Sequence, residues 1–376
     1  MDKWLNVVAL NIPWPASYGG VIDIYYKLKA LHDCSVNIIL HCFEYERART
    51  AELEKICAEV HYYRRRTGVS ANITRLPYNV YGRKDKRLID NLLKNNHPIL
   101  FEGLHTCYYL SDRRLKNRFK IFRECNIEHD YYRAIGQAER NLLKKCFYYI
   151  EAMRFERFQK NAVHADLMIA VSTTDRDYLR SVFPHSHVEF VPCFHGNTQI
   201  TATAGQSDFM LYHGKLSVKE NEKAAIYLIK NVFSKMSCRC IIAGMEPPAA
   251  LLKAARPYPH ITVEANPSTE RLGTLIREAQ INTLVTFQGT GLKLKLLNSL
   301  FAGRYTVVNP LMLAGSGLDA LCFSVDTPAE MVRVCRELMQ KPFTADCLQA
   351  RRALLFPTFS DAHQGRRLME MIWGNI

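Results

Sequence analysis

The sequence predicts an α/β protein made of two doubly wound, Rossmann-like domains facing a cleft. Three observations predict it. Short apolar runs alternate with helical patterns through both halves of the chain, the pattern of parallel strands with helices on both faces of a sheet. A small, polar stretch at 195–207, HGNTQITATAGQS, interrupts that alternation and reads as a linker. Late in the chain a strand, a Gly-Thr-Gly turn, an apolar helix carrying two lysines and a second strand follow one another across 282–309.

In the first half, strands are predicted at 4–11, 35–42, 98–103, 166–172 and 188–192. Gly19-Gly20 opens an amphipathic helix that reaches about Leu31, and a long helical pattern covers 134–161. In the second half the strands fall at 208–214, 238–244, 261–265, 282–287 and 305–309, with helices between them. A last helix, 360–373, follows Pro357 without a strand partner and is free to pack back on the N-terminal domain. The expected divisions are 1–196 for the first domain, 197–207 for the linker, 208–357 for the second domain and 358–376 for the C-terminal helix.

A chain of 376 residues suits two domains, and 48% hydrophobic residues suffice for two cores. No run of eighteen apolar residues occurs, so no membrane-spanning helix is expected. The start, MDKWLNVVALNIPWP, is strand-like and lacks the parts of a signal peptide. The twelve cysteines are scattered and include no C-x-x-C. They read as reduced, buried side chains of a cytoplasmic protein, and no metal site is predicted.

The net charge of +14 is uneven. Between His61 and Arg123 lie fifteen Lys and Arg against four Asp and Glu, including Arg64 to Arg66, the run 83–87, and Arg113, Arg114, Lys116, Arg118 and Lys120. Such a segment is a solvated basic face, or it meets an anionic membrane surface or a phosphate-bearing acceptor. No nucleic-acid-binding motif accompanies it.

The turn at 288–291 gives the chemistry. A Gly-rich turn that opens a helix presents free backbone N–H groups and the positive end of the helix dipole, a site suited to phosphate. Lysines in the first turns add charge.

The stretch GTGLKLKLLNSLFAGRYTVV (289–308) resembles the second-domain motif of GT-B glycosyltransferases of family four (group 1). IPWPASYGG (12–20), NIEHDYYR (126–133), ADLMIAVSTTDRDYL (165–179), VEFVPCFHG (188–196) and YHGKLSVKENEKAAIYLI (212–229) are similar to further segments of that family, in the same order. The resemblance implies transfer of a sugar from a nucleotide diphosphate sugar to a glycan or lipid-linked acceptor in surface polysaccharide biosynthesis. It also implies retention of anomeric configuration, no cofactor and no metal. The donor would lie on the second domain and the acceptor on the first. The protein would be cytoplasmic and peripheral at the inner face of the membrane.

By the same resemblance Lys215 and Lys295 stand where cations meet the leaving diphosphate, with Lys219 and Lys293 as further cations. Gly19, Gly20 and Gly291 let backbone approach it. His105 follows a first-domain strand and would bond a donor-sugar hydroxyl; a structural histidine is the other reading. His129 and Asp130 would line the acceptor side, or cap a helix and form a local ion pair. Lys293 and Lys295 also fit a solvated helix edge. Tyr131 and Tyr132 either stack on a sugar ring or pack, and packing is the favoured reading.

The family pattern carries two glutamates with seven residues between them, and this chain has Thr290 and Asn298 there. A neutral amide binds two ribose hydroxyls less tightly than a carboxylate. Two alternatives therefore stand: a catalytically degenerate GT-B protein that binds a glycan or a partner, and a nucleotide-sugar epimerase. An epimerase needs carboxylates for proton transfer, and no such set can be placed from the sequence.

Overall fold

The computed structural model describes residues 2–68, 74–288 and 293–374. It divides into two compact units. Unit 1 comprises Met1–Gly196 with Phe359–Ile376; unit 2 comprises Asn197–Gly289 and Lys293–Thr358.

Unit 1 is built on a seven-stranded parallel sheet: β1 (Lys3–Ala9), β2 (Val36–Glu44), β3 (Glu59–Arg64), β4 (Ile99–Glu102), β5 (Lys120–Glu124), β6 (Leu167–Ala170) and β7 (Val188–Phe190), in the order β3-β2-β1-β4-β5-β6-β7. The central strands are apolar on both faces, as a sheet covered by helices requires. Leu5, Val7, Leu100, Ile121 and Ile169 face α1 (Gly19–Asp33) and its neighbours, while Val8, Phe101, Phe122 and Met168 face the opposite core. The short helices α2 (Tyr78–Tyr81) and α3 (Lys86–Leu92) precede β4, and α4 (Glu128–Ala138), α5 (Leu142–Phe158) and α6 (Thr173–Val182) follow β5 and β6.

Unit 2 repeats the plan with six parallel strands: β8 (Phe209–His213), β9 (Arg239–Gly244), β10 (Ile261–Ala265), β11 (Ile281–Leu284), β12 (Tyr305–Val308) and β13 (Phe323–Ser324), ordered β10-β9-β8-β11-β12-β13. Its helices are α7 (Lys219–Asn231), α8 (Ala249–Ala255), α9 (Thr269–Glu278), α10 (Leu294–Ala302), α11 (Pro310–Leu313), α12 (Pro328–Met339) and most of α13 (Ala345–Phe359). Both sheets reverse strand order beside their first strand, β1 or β8, where doubly wound sheets bind ligands. At that point in unit 2 a Cβ on Gly244 would overlap the Gly214 carbonyl, so glycine lets the loop after β8 lie against the end of β9.

Several expectations are corrected. The long helical pattern at 134–161 is two helices, because Asn141 caps a new start by accepting the N–H groups of Leu143 and Lys144, each at 3.1 Å. The basic face of 61–123 is smaller than the sequence suggests. Arg118 is buried and donates to the carbonyls of Leu92 and Asn95 at 2.6 Å, and Lys120 is buried in β5. Arg83 is likewise buried, donating to the Leu10 and Asn79 carbonyls. The polar stretch 197–207 is laid on unit 2, with Thr201 N–H on the Phe301 carbonyl at 2.9 Å and Gly205 bridged to Phe343. Among the described cysteines none is in a disulfide, and Cys146 is exposed.

The final helix, α14 (Asp361–Trp373), packs on α1 within unit 1. A Cβ on Gly365 would sit 3.1 Å from the Ala30 Cβ, so glycine sets how closely the two helices approach. The Asp361 carboxylate accepts the N–H groups of His195 at 3.1 Å and Gly196 at 2.7 Å. Gly196 itself has φ +78, and a Cβ there would overlap the Tyr26 ring.

A buried charge network binds α1 to the sheet. Lys27 Nζ lies 3.1 Å from Asp23 and 2.9 Å from Glu102, and Arg123 meets Asp23 with two nitrogens at 3.0 and 3.1 Å. Arg123 also donates to the carbonyls of Val191 and Pro192, and Phe194 N–H donates to Asp23 at 2.7 Å. Two acids and two bases balance. Burial works against the Asp23 carboxylate, yet Arg123 and Lys27 outweigh it and hold its pKa below the ordinary value. Breaking such a network strands an uncompensated charge. Arg123→Met is therefore expected to lower stability by about 3–5 kcal/mol, read from urea unfolding. A loss of under about 1 kcal/mol would mean the network is not coupled to the fold.

Candidate functional site

In unit 2 the carboxyl ends of the strands gather polar and charged groups. β8 delivers Tyr212 and His213, the chain turns at Gly214, and α7 begins at Lys219 with Glu220 and Asn221 in its first turn. Acids there suit the positive end of the helix. From α10, Lys295 reaches back: its Nζ donates to Asn221 Oδ1 at 2.6 Å, lies 3.4 Å from Tyr212 OH, and sits 5.1 Å from the Tyr212 ring centre. Asn221 in turn donates from Nδ2 to the Lys215 carbonyl at 3.0 Å. Glu220 accepts a hydrogen bond from Thr286 Oγ1 in the segment after β11.

Burial lowers the Lys295 pKa to about 8, with the Glu220 charge opposing the shift and Lys293 adding to it. Beside it His213, 3.1 Å from Ser299 Oγ, is kept neutral, its pKa lowered to about 3 by burial and then by the Lys295 charge. A lysine ammonium held by amide, phenol and ring, with one carboxylate nearby, is a cation with capacity left for an anion.

The other residues singled out in the sequence fall differently. Lys215 is exposed, 3.7 Å from Glu246. Lys219 points to solvent, with its Nζ 2.7 Å from Glu222. Lys293 is the residue before the first turn of α10. Asn298 Oδ1 accepts from Asn197 Nδ2 at 2.9 Å. Thr290 and Gly291 lie outside the described residues. Tyr212, His213, Glu220, Asn221 and Ser299 were not singled out, although YHGKLSVKENE was. Its Glu and Asn match ordinary helix-start chemistry, and their meeting with Lys295 needs the fold.

In unit 1, Gly19 and Gly20 are the first two residues of α1. A Cβ on Gly20 would be 3.6 Å from Tyr18, an ordinary contact, so space does not demand glycine there. His105, after β4, lies 3.5 Å from the Glu128 carboxylate at the start of α4 and edge-on to Phe155. Burial lowers the His105 pKa to about 3, helped by Arg83 and Arg65. Burial raises the Glu128 pKa to about 8, against the pull of Arg83. Near neutral pH the pair is therefore an uncharged imidazole and a carboxylic acid. Glu124, fully buried at the end of β5, is pushed well above the usual carboxylate range by burial and by the Glu128 and Asp175 charges. These carboxyls form a set that sequence reasoning alone does not place.

His129 is buried, 3.4 Å from Tyr178 OH and 3.6 Å from Asp130, and Asp130 forms a local ion pair with Arg133 at 3.1 Å. Tyr132 packs on Phe155 and Tyr148. Asp23, Glu102 and Cys125 have ligand atoms within 4.8 Å of one another, but Lys27 and Arg123 already neutralise the two carboxylates.

Solved structures with this pair of sheets cover nearly the whole chain. The lipopolysaccharide outer core galactosyltransferase WaaB matches with a TM-score of 0.66, 12% identity and 100% of both chains. A variant of TarM from S. aureus, in complex with fondaparinux, alpha-GlcNAc-glycerol and UDP, matches at 0.69 with 9% identity, over 99% of this chain and 100% of that one. The chain has the GT-B glycosyltransferase fold. The pneumococcal O-GlcNAc transferase GtfA, in complex with UDP and GlcNAc, shares this GT-B fold at 0.66 with 9% identity, over 99% and 98% of the two chains. A curated relative, an uncharacterized 44.6 kDa protein in the cps region of Klebsiella pneumoniae, is 25% identical over 334 residues, 83% of this chain and 84% of its own. No family model matches the chain.

The neutral Glu128 carboxyl has a consequence for stability. Its folded pKa lies above its unfolded value, so the folded state binds the extra proton between about pH 4.5 and 8 and loses stability as pH rises through that window. Glu128→Gln cannot ionise. Its melting temperature relative to the wild type is expected to rise by several degrees between pH 5 and pH 8.5. A difference that stays constant across that range would show that Glu128 is charged in the folded protein.

Proposed function

We propose that this GT-B protein is a glycosyltransferase that moves a sugar from a nucleotide diphosphate sugar to a glycan or lipid-linked acceptor. The observation that carries the proposal is the Lys295 ammonium, gathered with Asn221, Tyr212 and Glu220 at the carboxyl ends of the unit 2 strands. As a glycosidic bond to a diphosphate breaks, negative charge grows on the leaving oxygen. A cation held in place beforehand stabilises that charge without reorganising. Lys215, on an exposed side chain, supplies a second cation when an anion competes with Glu246. Glu220 is the carboxylate nearest this centre and takes up donor hydroxyl contacts that Thr290 and Asn298 cannot make with charge. Gly19, Gly20 and Gly291 would approach the diphosphate, with Lys219 and Lys293 as outer cations.

Two of the solved structures hold UDP, and one relative is a galactosyltransferase, which supports a nucleotide-linked hexose as donor. The relative in a cps region supports a role in polysaccharide biosynthesis. Retention and metal independence follow from the family resemblance. By the family resemblance His105, with the neutral Glu128 carboxyl beside it, bonds a donor-sugar hydroxyl, and His129 and Asp130 line the acceptor side. Work on a lipid-linked acceptor implies a cytoplasmic protein peripheral at the membrane.

The runner-up is a degenerate GT-B protein that binds without turnover. A thermal-shift panel of UDP-, GDP- and dTDP-sugars separates the two, since a ligand specific to the folded state raises the melting temperature. One nucleotide sugar is expected to stabilise the protein and to be turned over slowly without acceptor. Stabilisation without turnover under any acceptor would favour the binding protein. Lys295→Ala and Lys215→Ala are expected to lower turnover about 10²-fold or more each, measured as nucleoside diphosphate release. Full activity in both variants would remove the diphosphate site.

A further inference from the structure

Helix α5 is apolar on two sides. One side carries Ala152, Phe155 and Phe158 into the core of unit 1, next to α4. The other side carries Leu142, Leu143, Cys146, Tyr149, Ile150 and Met153, all exposed. Leu142 and Leu143 are 80% and 84% exposed, and Met153 is 50% exposed. Positions 142, 146, 149, 150 and 153 share one face of a helix, and with Leu143 they span an arc of about 120°. A helix that is hydrophobic all round is normally buried all round. A contiguous exposed apolar face marks a surface that something covers.

The charges beside that face identify what covers it. Of the acids in 139–157, Glu139 accepts the N–H groups of Arg140 and Asn141, Glu151 is buried against Arg154 and Tyr78 N–H, and Glu156 is held by Arg133 at 2.6 Å. That leaves Arg140 just before the helix, Lys145 at one edge of the apolar face and Arg157 at its C-terminal end, while Lys144 lies on the opposite side of the helix. An apolar stripe edged with cations on a helix that lies flat on its domain is the pattern of an interfacial membrane helix. Leucine and methionine side chains enter the acyl boundary, the tyrosine sits at headgroup level, and long basic side chains reach phosphates. A second copy of the chain fits less well. A two-fold contact would set the cations of one α5 against those of the other, in a protein whose net charge is already +14.

We propose that the exposed face of α5 is the surface by which this protein docks on an anionic lipid bilayer. This gives the peripheral placement a specific surface, distinct from the Arg64 to Arg66 and Arg113 to Lys120 segments. It rests on the proposed function only for the reason a membrane matters, the lipid-linked acceptor. Vesicle binding is read without substrate, so failure of docking and failure of sugar transfer are distinguishable.

The test is co-sedimentation with vesicles of phosphatidylcholine alone and of phosphatidylcholine with phosphatidylglycerol, at low and high salt. The wild type is expected to bind the anionic vesicles at least tenfold more strongly than the neutral ones, and less strongly at high salt. Leu142→Ser with Leu143→Ser is expected to weaken binding about tenfold or more, and Lys145→Glu with Arg157→Glu similarly. Leu142, Leu143 and Arg157 are exposed and Lys145 is half-buried, and an unchanged melting temperature in each variant establishes that the fold is kept. Equal binding by wild type and both variants overturns the proposal. So does a concentration-dependent dimer that the serine variant abolishes, because the face would then belong to a second copy.

Discussion

A lysine ammonium drawn out of water must be compensated, and at Lys295 the compensation is incomplete. Asn221 and Tyr212 offer an amide oxygen and a phenol, the Tyr212 ring adds its negative face, and the Glu220 carboxylate acts at longer range. Burial lowers the Lys295 pKa to about 8 despite the Glu220 charge. Unit 1 compensates its buried charges more closely: Lys27 and Arg123 meet Asp23 and Glu102 at hydrogen-bond distance and backbone groups add to Arg123 and Asp23, although burial still raises the Glu102 pKa. A closed network of that kind holds a fold. An under-compensated cation at the carboxyl end of a parallel sheet has room for an anion, and the stabilisation lost in folding is available to a ligand.

The architecture makes this arrangement possible. Parallel strands joined by right-handed crossovers put every strand-to-helix loop at one edge of the sheet. Hence β8, α7, the segment after β11 and α10, far apart in sequence, bring His213, Glu220, Thr286 and Lys295 together. The same geometry in unit 1 brings His105, Glu124 and Glu128 to the ends of β4 and β5. Their burial favours neutral forms, whereas the unit 2 edge holds the Lys295 charge.

Much of this was legible in the sequence, for physical reasons. β8, β9 and β12 are short apolar runs between turn residues, which is how strands buried on both faces must look. The strands that were not foreseen break that rule. β3 (EVHYYR) and β5 (KIFRE) mix charges with apolar residues, and β13 has two residues. Arg118 and Lys120 counted as surface charge because composition does not reveal that a guanidinium caps buried carbonyls. Lys215 and Lys295 stood out because their loops resemble a known motif. Glu220 and Asn221 did not, because acids and amides at a helix start have an ordinary explanation.

The central claim is that the Lys295 ammonium receives the diphosphate. A bound dianion would raise its pKa from about 8, so binding above that pH must draw in a proton. Isothermal titration of UDP, GDP and dTDP at pH 8.5, in two buffers of different ionisation enthalpy, measures that uptake. The account predicts uptake of a large fraction of a proton by the wild type with the nucleotide that binds, and none by Lys295→Arg, which binds fully charged. Binding without uptake, or equal uptake by the arginine variant, would contradict it.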